Sequence, residues 1–378
     1  MTFSQLGIST ELIKELSNQG ITAPYPIQEK AIPAILKQRD VLGIAQTGSG
    51  KTASYVLPIL MKLKGKTATK TRDVNTLVLV PTRELAVQVG EVFTSLSKSL
   101  SYAVKTMSVF GGVSINPQMK GMYGVNVLVA TPGRLLELLE NKALYISNVE
   151  TLVLDEADKM LNLGFKEEMN SIFRLLPLLR QNLLFSATLS PEVLSIERVL
   201  LNNPETIKIE SAETNIELIT QTGYFVTEEN KGPLLRKLIN DNKMNQVLIF
   251  TSSTKEADKV SDKLHNNGIS SRAIHSKKTQ GNRQESLALF KKGKLQTLVA
   301  TDLLSRGIDI EFLPFVVNYE LPRSPKDFIH RIGRTGRADN PGEAITFVTE
   351  EDKHHFKVIQ KKMKRWVDMV DTAEWRNL

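Results

Sequence analysis

Short apolar runs recur along this chain, at 41–45, 76–80, 105–109, 126–130, 151–154 and 182–185. Helical stretches stand between most of them. Runs such as Val41-Leu42-Gly43-Ile44-Ala45 are apolar at almost every position rather than at every second one. That pattern marks strands buried on both faces. Parallel neighbours need a crossover between them, usually a helix. The alternation therefore predicts an α/β fold, a mainly parallel sheet flanked by helices. Ile207-Lys208-Ile209 reads as a last strand of this series. A second series begins near Thr222, with strands expected at 222–227, 246–250, 272–275, 296–300, 315–318 and 343–348. It has the look of the same architecture repeated, without a residue-level repeat. Between the two, Glu210–Glu217 is polar and aperiodic. The predicted organisation is two tandem domains, residues 1–209 and 218–378, with a linker at 210–217. A length of 378 residues suits that number.

Other classes are excluded by composition. There is no cysteine, hence no disulfide framework and no thiolate metal site. No apolar run approaches the roughly 18 residues of a membrane span. The start, Met1-Thr2-Phe3-Ser4-Gln5, lacks a signal-peptide profile. A cytoplasmic protein is expected. The net charge is +8, with 22 basic against 18 acidic residues through Ile209 and 27 against 23 beyond it. Both halves share the excess, which suits a polyanionic partner without demanding one.

Two stretches carry chemistry. Gly48-Ser49-Gly50-Lys51-Thr52 follows a predicted strand and opens a predicted helix. Glycines there let consecutive N–H groups point into one concavity, and the helix N-terminus adds positive potential. Lys51 would reach the outer phosphates of a nucleotide and the Thr52 hydroxyl would ligate Mg²⁺. Ala45 stands where the generic pattern has glycine. The second stretch is Leu152-Val153-Leu154-Asp155-Glu156-Ala157-Asp158, a strand ending in three carboxylates. By itself this is either a metal site or an acidic helix start. A phosphate loop elsewhere in the chain favours the metal.

Elsewhere the plain readings hold. The turn after Phe250, Thr251-Ser252-Ser253-Thr254-Lys255, has no glycine, so one nucleotide site is expected. The basic stretch 351–366, with Lys361, Lys362, Lys364 and Arg365, reads as a solvated helix face.

Taken together, several motifs resemble the DEAD-box RNA helicases of helicase superfamily 2. They are Ala45-Gln46-Thr47-Gly48-Ser49-Gly50-Lys51-Thr52, Pro81-Thr82-Arg83-Glu84-Leu85-Ala86, Gly111-Gly112, Thr131-Pro132-Gly133-Arg134, Asp155-Glu156-Ala157-Asp158 and Ser186-Ala187-Thr188. In the second half stand Ala300-Thr301-Asp302, Arg306-Gly307-Ile308-Asp309 and His330-Arg331-Ile332-Gly333-Arg334-Thr335-Gly336-Arg337. The resemblance spans residues 3–348 and implies two RecA-like domains, ATP and Mg²⁺ as cofactors, and RNA as partner. It implies ATP phosphates at Thr47 through Thr52, Mg²⁺ at Thr52 and Asp155, and Glu156 on the attacking water. Arg334 and Arg337 become arginine fingers from the second domain, of a kind worth roughly 10³–10⁵ in rate. Gln28 reads adenine, Phe3 stacks on it, and Gly307 and Asp309 meet the rest of the nucleotide. RNA contacts fall at Arg83, Gly112, Thr131 and Arg134, then at Arg283, Thr301 and Asp302, mostly to backbone. Asp158, Ser186, Thr188 and His330 couple the motifs, and Arg331 is structural. Tyr25 departs from the usual threonine, and Leu304-Ser305 from the usual residues before Arg306. The implied activity is RNA-stimulated ATP hydrolysis driving domain closure and local, non-processive duplex separation. A DNA translocase of the same superfamily and an ATP-dependent RNA clamp remain as alternatives.

Overall fold

The computed structural model describes residues 1–46, 48–65, 71–209, 219–302, 313–336 and 342–372. The chain divides into two compact units, Met1–Ser211 and Ala212–Leu378. The linker expected at 210–217 lies outside the described residues.

Among its described residues the first unit holds seven strands: β1 Val41–Ile44, β2 Thr76–Leu79, β3 Thr106–Val109, β4 Val127–Ala130, β5 Thr151–Leu154, β6 Gln181–Ser186 and β7 Glu205–Lys208. They form one sheet in the order β3-β4-β2-β5-β6-β1-β7, every pairing parallel. Successive side chains of a strand point to opposite faces. Val78, Val127, Val129, Val153 and Phe185 therefore pack on one side, with the helices Thr10–Asn18, Pro26–Leu36, Lys51–Lys62 and Arg83–Ser97. Leu77, Leu79, Leu128, Leu152 and Leu154 pack on the other, with Pro132–Glu140, Ala157–Asn162, Lys166–Leu175 and Pro191–Leu200.

The second unit repeats the plan with β8 Ile219–Phe225, β9 Val247–Thr251, β10 Ser271–Ile274, β11 Thr297–Thr301, β12 Phe315–Asn318, β13 Gly342–Val348 and β14 Asp368–Asp371. Its order is β10-β11-β9-β12-β13-β8-β14, again parallel throughout. Counted from its own first strand, each sheet reads 3-4-2-5-6-1-7. One core layer, around Val247, Ile249 and Phe347, lies with the helices Lys231–Asp241 and Thr254–Asn266. The opposite face is split. Leu248, Phe250 and Leu298 pack with the helix Gln280–Lys291. Ile219, Ala344 and Val348 pack with the helices Pro325–Ile332 and Lys353–Met363.

One strand is added to those expected and one turn is reassigned. The strand β14 has no apolar run to announce it, because it is a short edge strand with Asp368 and Asp371 exposed at its ends. The counterpart of the glycine loop does not follow Phe250, since β9 occupies the place of β2. It follows β8, at Val226-Thr227-Glu228-Glu229-Asn230, and enters a helix at Lys231. That turn also lacks glycine, and Glu228 holds the buried Lys231 ammonium at 2.5 Å.

Candidate active site

Strand order decides what meets at the carboxyl ends of the first sheet, where α/β folds place their ligands. In the run β5-β6-β1, the acidic stretch and the glycine loop stand on either side of Ser186, the last residue of β6. Gly50 is the N-cap of the Lys51 helix at φ +85°, a left-handed conformation that favours glycine. It also lies against the Gln28 amide, where a Cβ would collide.

Lys51 is only 6% exposed, and its ammonium donates to the Ala45 carbonyl at 2.5 Å. Burial lowers its pKa, and the charges of Asp155 and Glu156 oppose that. Asp155 is 2% exposed. Burial raises its pKa, against the pull of Lys51 and of hydrogen bonds from Tyr55 and the Glu156 amide. The Tyr55 hydroxyl donates to Asp155 Oδ2 at 2.8 Å. The Thr52 side chain lies near the same phenol and acts to lower its pKa, so Tyr55 is a neighbour of both expected metal residues. Asp155 Oδ1 is buried and finds no partner among the described residues.

Glu156 has φ +54° and ψ +47°, a strained conformation for a residue with a side chain. Burial raises its pKa, opposed first by Lys159. Lys159 donates to Oε1 at 2.6 Å, while buried Oε2 has no partner among the described residues. Asp158 accepts from the Thr188 hydroxyl at 2.9 Å. The Ser186 hydroxyl donates to the Thr188 carbonyl at 2.8 Å.

These donors fit Mg²⁺ in kind: a buried carboxylate with one oxygen unengaged, and a threonine hydroxyl one residue after the phosphate-loop lysine. No cluster of three or more His, Asp or Glu able to hold a metal alone exists among the described residues. An ion here would complete its shell with phosphate and water, as Mg²⁺ commonly does.

Gln28 is buried, and both ends of its amide are engaged. Oε1 accepts from the Tyr25 amide at 2.9 Å and Nε2 donates to the Gly50 carbonyl at 3.1 Å. Phe3 is 4% exposed within the core layer rather than presented as an open ring. Thr47, Gly307, Asp309 and Arg337 lie outside the described residues.

The other half of the sheet, β3-β4-β2, gathers the expected RNA residues of this unit. Gly112 follows β3 at φ +72°, and the Arg83 guanidinium packs where its Cβ would be. Arg134 donates to the Val113 carbonyl and to Glu137, both at 2.8 Å, and its buried Nη1 has no partner among the described residues. Thr131 caps the same helix without using its hydroxyl as a cap.

In the second unit the expected RNA residues follow β10 and β11. Arg283 opens the helix after β10 and is buried, with Gln280 as a partner. Thr301 ends β11 and is also buried. Asp302 is committed: Arg331 grips both its oxygens at 2.5 and 2.7 Å. Arg331 is 1% exposed and also donates to Asn318 Oδ1 and the Glu320 carbonyl. It lies over the Phe250 ring at 4.9 Å. This is the structural role expected of it. Arg334 is nearly buried, and His330 is exposed.

Sequence reasoning missed Tyr55 and Lys159. Tyr55 is one helical turn beyond Lys51, but its partner is 100 residues away, and no local pattern signals that pairing.

Two family models match the chain: DEAD/DEAH box helicase over residues 25–196, and helicase conserved C-terminal domain over 230–339. The chain is 37% identical to the ATP-dependent RNA helicase CshA of Listeria monocytogenes, over 99% of this chain and 71% of that protein. It is 39% identical to the DEAD-box ATP-dependent RNA helicase RhpA of Helicobacter pylori, over 98% and 74%. Among solved structures, S. cerevisiae Dbp5 bound to RNA and ADP BeF3 superposes with a TM-score of 0.82 at 30% identity, covering 99% of this chain and 96% of that one. A DEAD box protein from the hyperthermophile Methanococcus jannaschii gives 0.55 at 33% identity, covering 98% and 99%.

Proposed function

The chain belongs to the DEAD-box helicase family, and from that premise we infer that it is an ATP-dependent RNA helicase. It hydrolyses ATP under stimulation by RNA, and the cycle separates short RNA duplexes locally. Its two units are RecA-like, and no helix among the described residues is long and apolar enough to cross a membrane.

We assign the parts as follows. Thr47 through Thr52 cradle the phosphates, and Lys51 neutralises the outer ones. Thr52 and Asp155 hold Mg²⁺, which would draw charge off the phosphate oxygens when bound. Glu156 accepts a hydrogen bond from the attacking water through Oε2 and orients it. Arg334 and Arg337 serve as arginine fingers on the γ-phosphate. Gln28 reads the adenine edge, Phe3 borders the base, and Gly307 and Asp309 meet the nucleotide from the second unit. Arg83, Gly112, Thr131 and Arg134 bind the RNA backbone with Arg283, Thr301 and Asp302. Asp158, Ser186, Thr188 and His330 couple hydrolysis to movement of the units. Because ATP and RNA each favour the same closed state, each tightens binding of the other.

The observation that supports this reading most is the juxtaposition of buried Lys51 with two buried carboxylates, each keeping one oxygen unengaged. The strand order also supports it, since it gathers the expected phosphate and metal residues at β5-β6-β1 and the expected RNA residues at β3-β4-β2. The test is ATP hydrolysis with RNA, with DNA and with neither, beside unwinding of a short RNA duplex. Glu156→Gln is expected to keep ATP and RNA binding and nearly abolish turnover. Substantial RNA-stimulated turnover in that variant would remove Glu156 from the water. Equal stimulation by DNA would make the chain a translocase instead.

A further inference from the structure

The helix Lys353–Met363 and the turn after it have no part in the site above. No Asp or Glu occurs between Lys353 and Val367. Lys357, Lys361, Lys362 and Lys364 are all exposed. Lys353 is the exception among these lysines, since it pairs with Glu350 and lies over the Phe225 ring. The helix ends at Lys364, whose φ is +56°, and the Arg365 amide donates back to the Gln360 carbonyl. The chain thus folds over its own last helical turn. Val367 is then fixed: its amide donates to Gln360 Oε1 at 2.8 Å, and its side chain enters the core beside Ile359 and Met363. With Val367 held inward and Lys364 turning the chain, Trp366 between them is left 71% exposed. Val358, on the same helix, is exposed as well. A tryptophan costs free energy in water, and here a fixed turn holds it at the end of a helix that carries Lys357, Lys361 and Lys362, two residues after Lys364.

We propose that this surface is a second binding site for single-stranded RNA, separate from the groove residues of the second unit. Trp366 offers a π-face on which one base stacks, and the lysines pair with flanking phosphates. This is the combination by which proteins hold single strands without reading sequence. The site is separate because of topology. Arg283 stands on the helix after β10 and Thr301 ends β11, toward one edge of the second sheet. Trp366 leads into β14, at the other edge. The helix Lys353–Met363 belongs to a different half of that face from the helix of Arg283. A long RNA gripped in the groove would be tethered here by its flank, and a short one would not reach.

The proposal rests on RNA being the substrate of the groove assigned above. That reading has its own measurement, stimulation of wild-type ATPase by RNA. The new site is tested with the full chain, two labelled single-stranded RNAs of about 10 and about 40 nucleotides, and two independent variants. One is Trp366→Ala and the other is Lys357→Glu/Lys361→Glu/Lys362→Glu. Each is expected to weaken the long RNA about tenfold, and the charge variant to flatten its log–log salt slope by about 2. Affinity for the short RNA, ATPase without RNA and melting temperature should not change. Unchanged affinity and slope for the long RNA in both variants would overturn the proposal. So would retained RNA binding with loss of a polyglutamate peptide, which would make the surface a dock for an acidic protein.

Discussion

Tyr55→Phe removes a single oxygen at the centre of the first unit. The Tyr55 ring is fully buried and lies 5.4 Å from the Phe185 ring and 6.4 Å from that of Phe93. Those contacts survive in the variant, so little cavity is made. What is lost is the 2.8 Å hydrogen bond to Asp155 Oδ2. Burial, then the neighbouring Asp155 charge, pushes the phenol well above its ordinary pKa. It is therefore a neutral donor at any working pH. Hydrogen bonds to charged groups contribute about 1.5–3 kcal/mol. For a unit of this size that lowers the melting temperature by roughly 3–12 °C. A second effect is on orientation. With Oδ2 released, the carboxylate no longer has a fixed Oδ1, and Mg²⁺ affinity of the nucleotide complex should fall several-fold. Differential scanning calorimetry of the nucleotide-free protein measures the first effect. Calorimetric titration of Mg²⁺ into the ADP complex measures the second. A melting shift below about 1 °C together with unchanged Mg²⁺ affinity would refute the reasoning.

Two other substitutions test separate parts of the molecule. Gly112→Ala places a Cβ in a left-handed backbone position, which costs about 1–2 kcal/mol, and it displaces the Arg83 guanidinium. RNA affinity should fall roughly tenfold, as for loss of one charge-assisted contact, while ATP affinity without RNA stays unchanged; filter binding and nucleotide titration separate the two. Arg331→Ala leaves the Asp302 carboxylate without its cation and empties space over Phe250. Breaking such a pair costs about 3–5 kcal/mol, so the second unit should melt at much lower denaturant concentration than in wild type. A loss of RNA binding with no change in stability would instead show that Arg331 works at the surface.

The sequence determined a good deal alone. Apolar runs such as Leu77-Val78-Leu79 and Leu152-Val153-Leu154 fixed strands, their type and the α/β class. They could do so because two-sided burial leaves a local mark on every residue of a strand. Gly48 through Thr52 and Asp155 through Asp158 were legible for a similar reason, since each sits in a short stretch whose chemistry depends on spacing along the chain. The strand β14 escaped because an edge strand with exposed ends carries no such mark.

What only the tertiary structure decided is adjacency. Strand order set Lys51 beside Asp155, with β6 between their strands, and placed the residues expected to hold nucleotide and those expected to contact RNA on different halves of one sheet. It also moved the counterpart of the glycine loop from β9 to β8, which no turn composition could have indicated. Tyr55 meets Asp155, and Arg331 meets Asp302, through hydrogen bonds spanning 100 and 29 residues. Periodicity is a property of neighbours in the chain. Which distant side chains share a buried space depends on how whole layers of helix and sheet fill volume together, and that is settled only when the chain has folded.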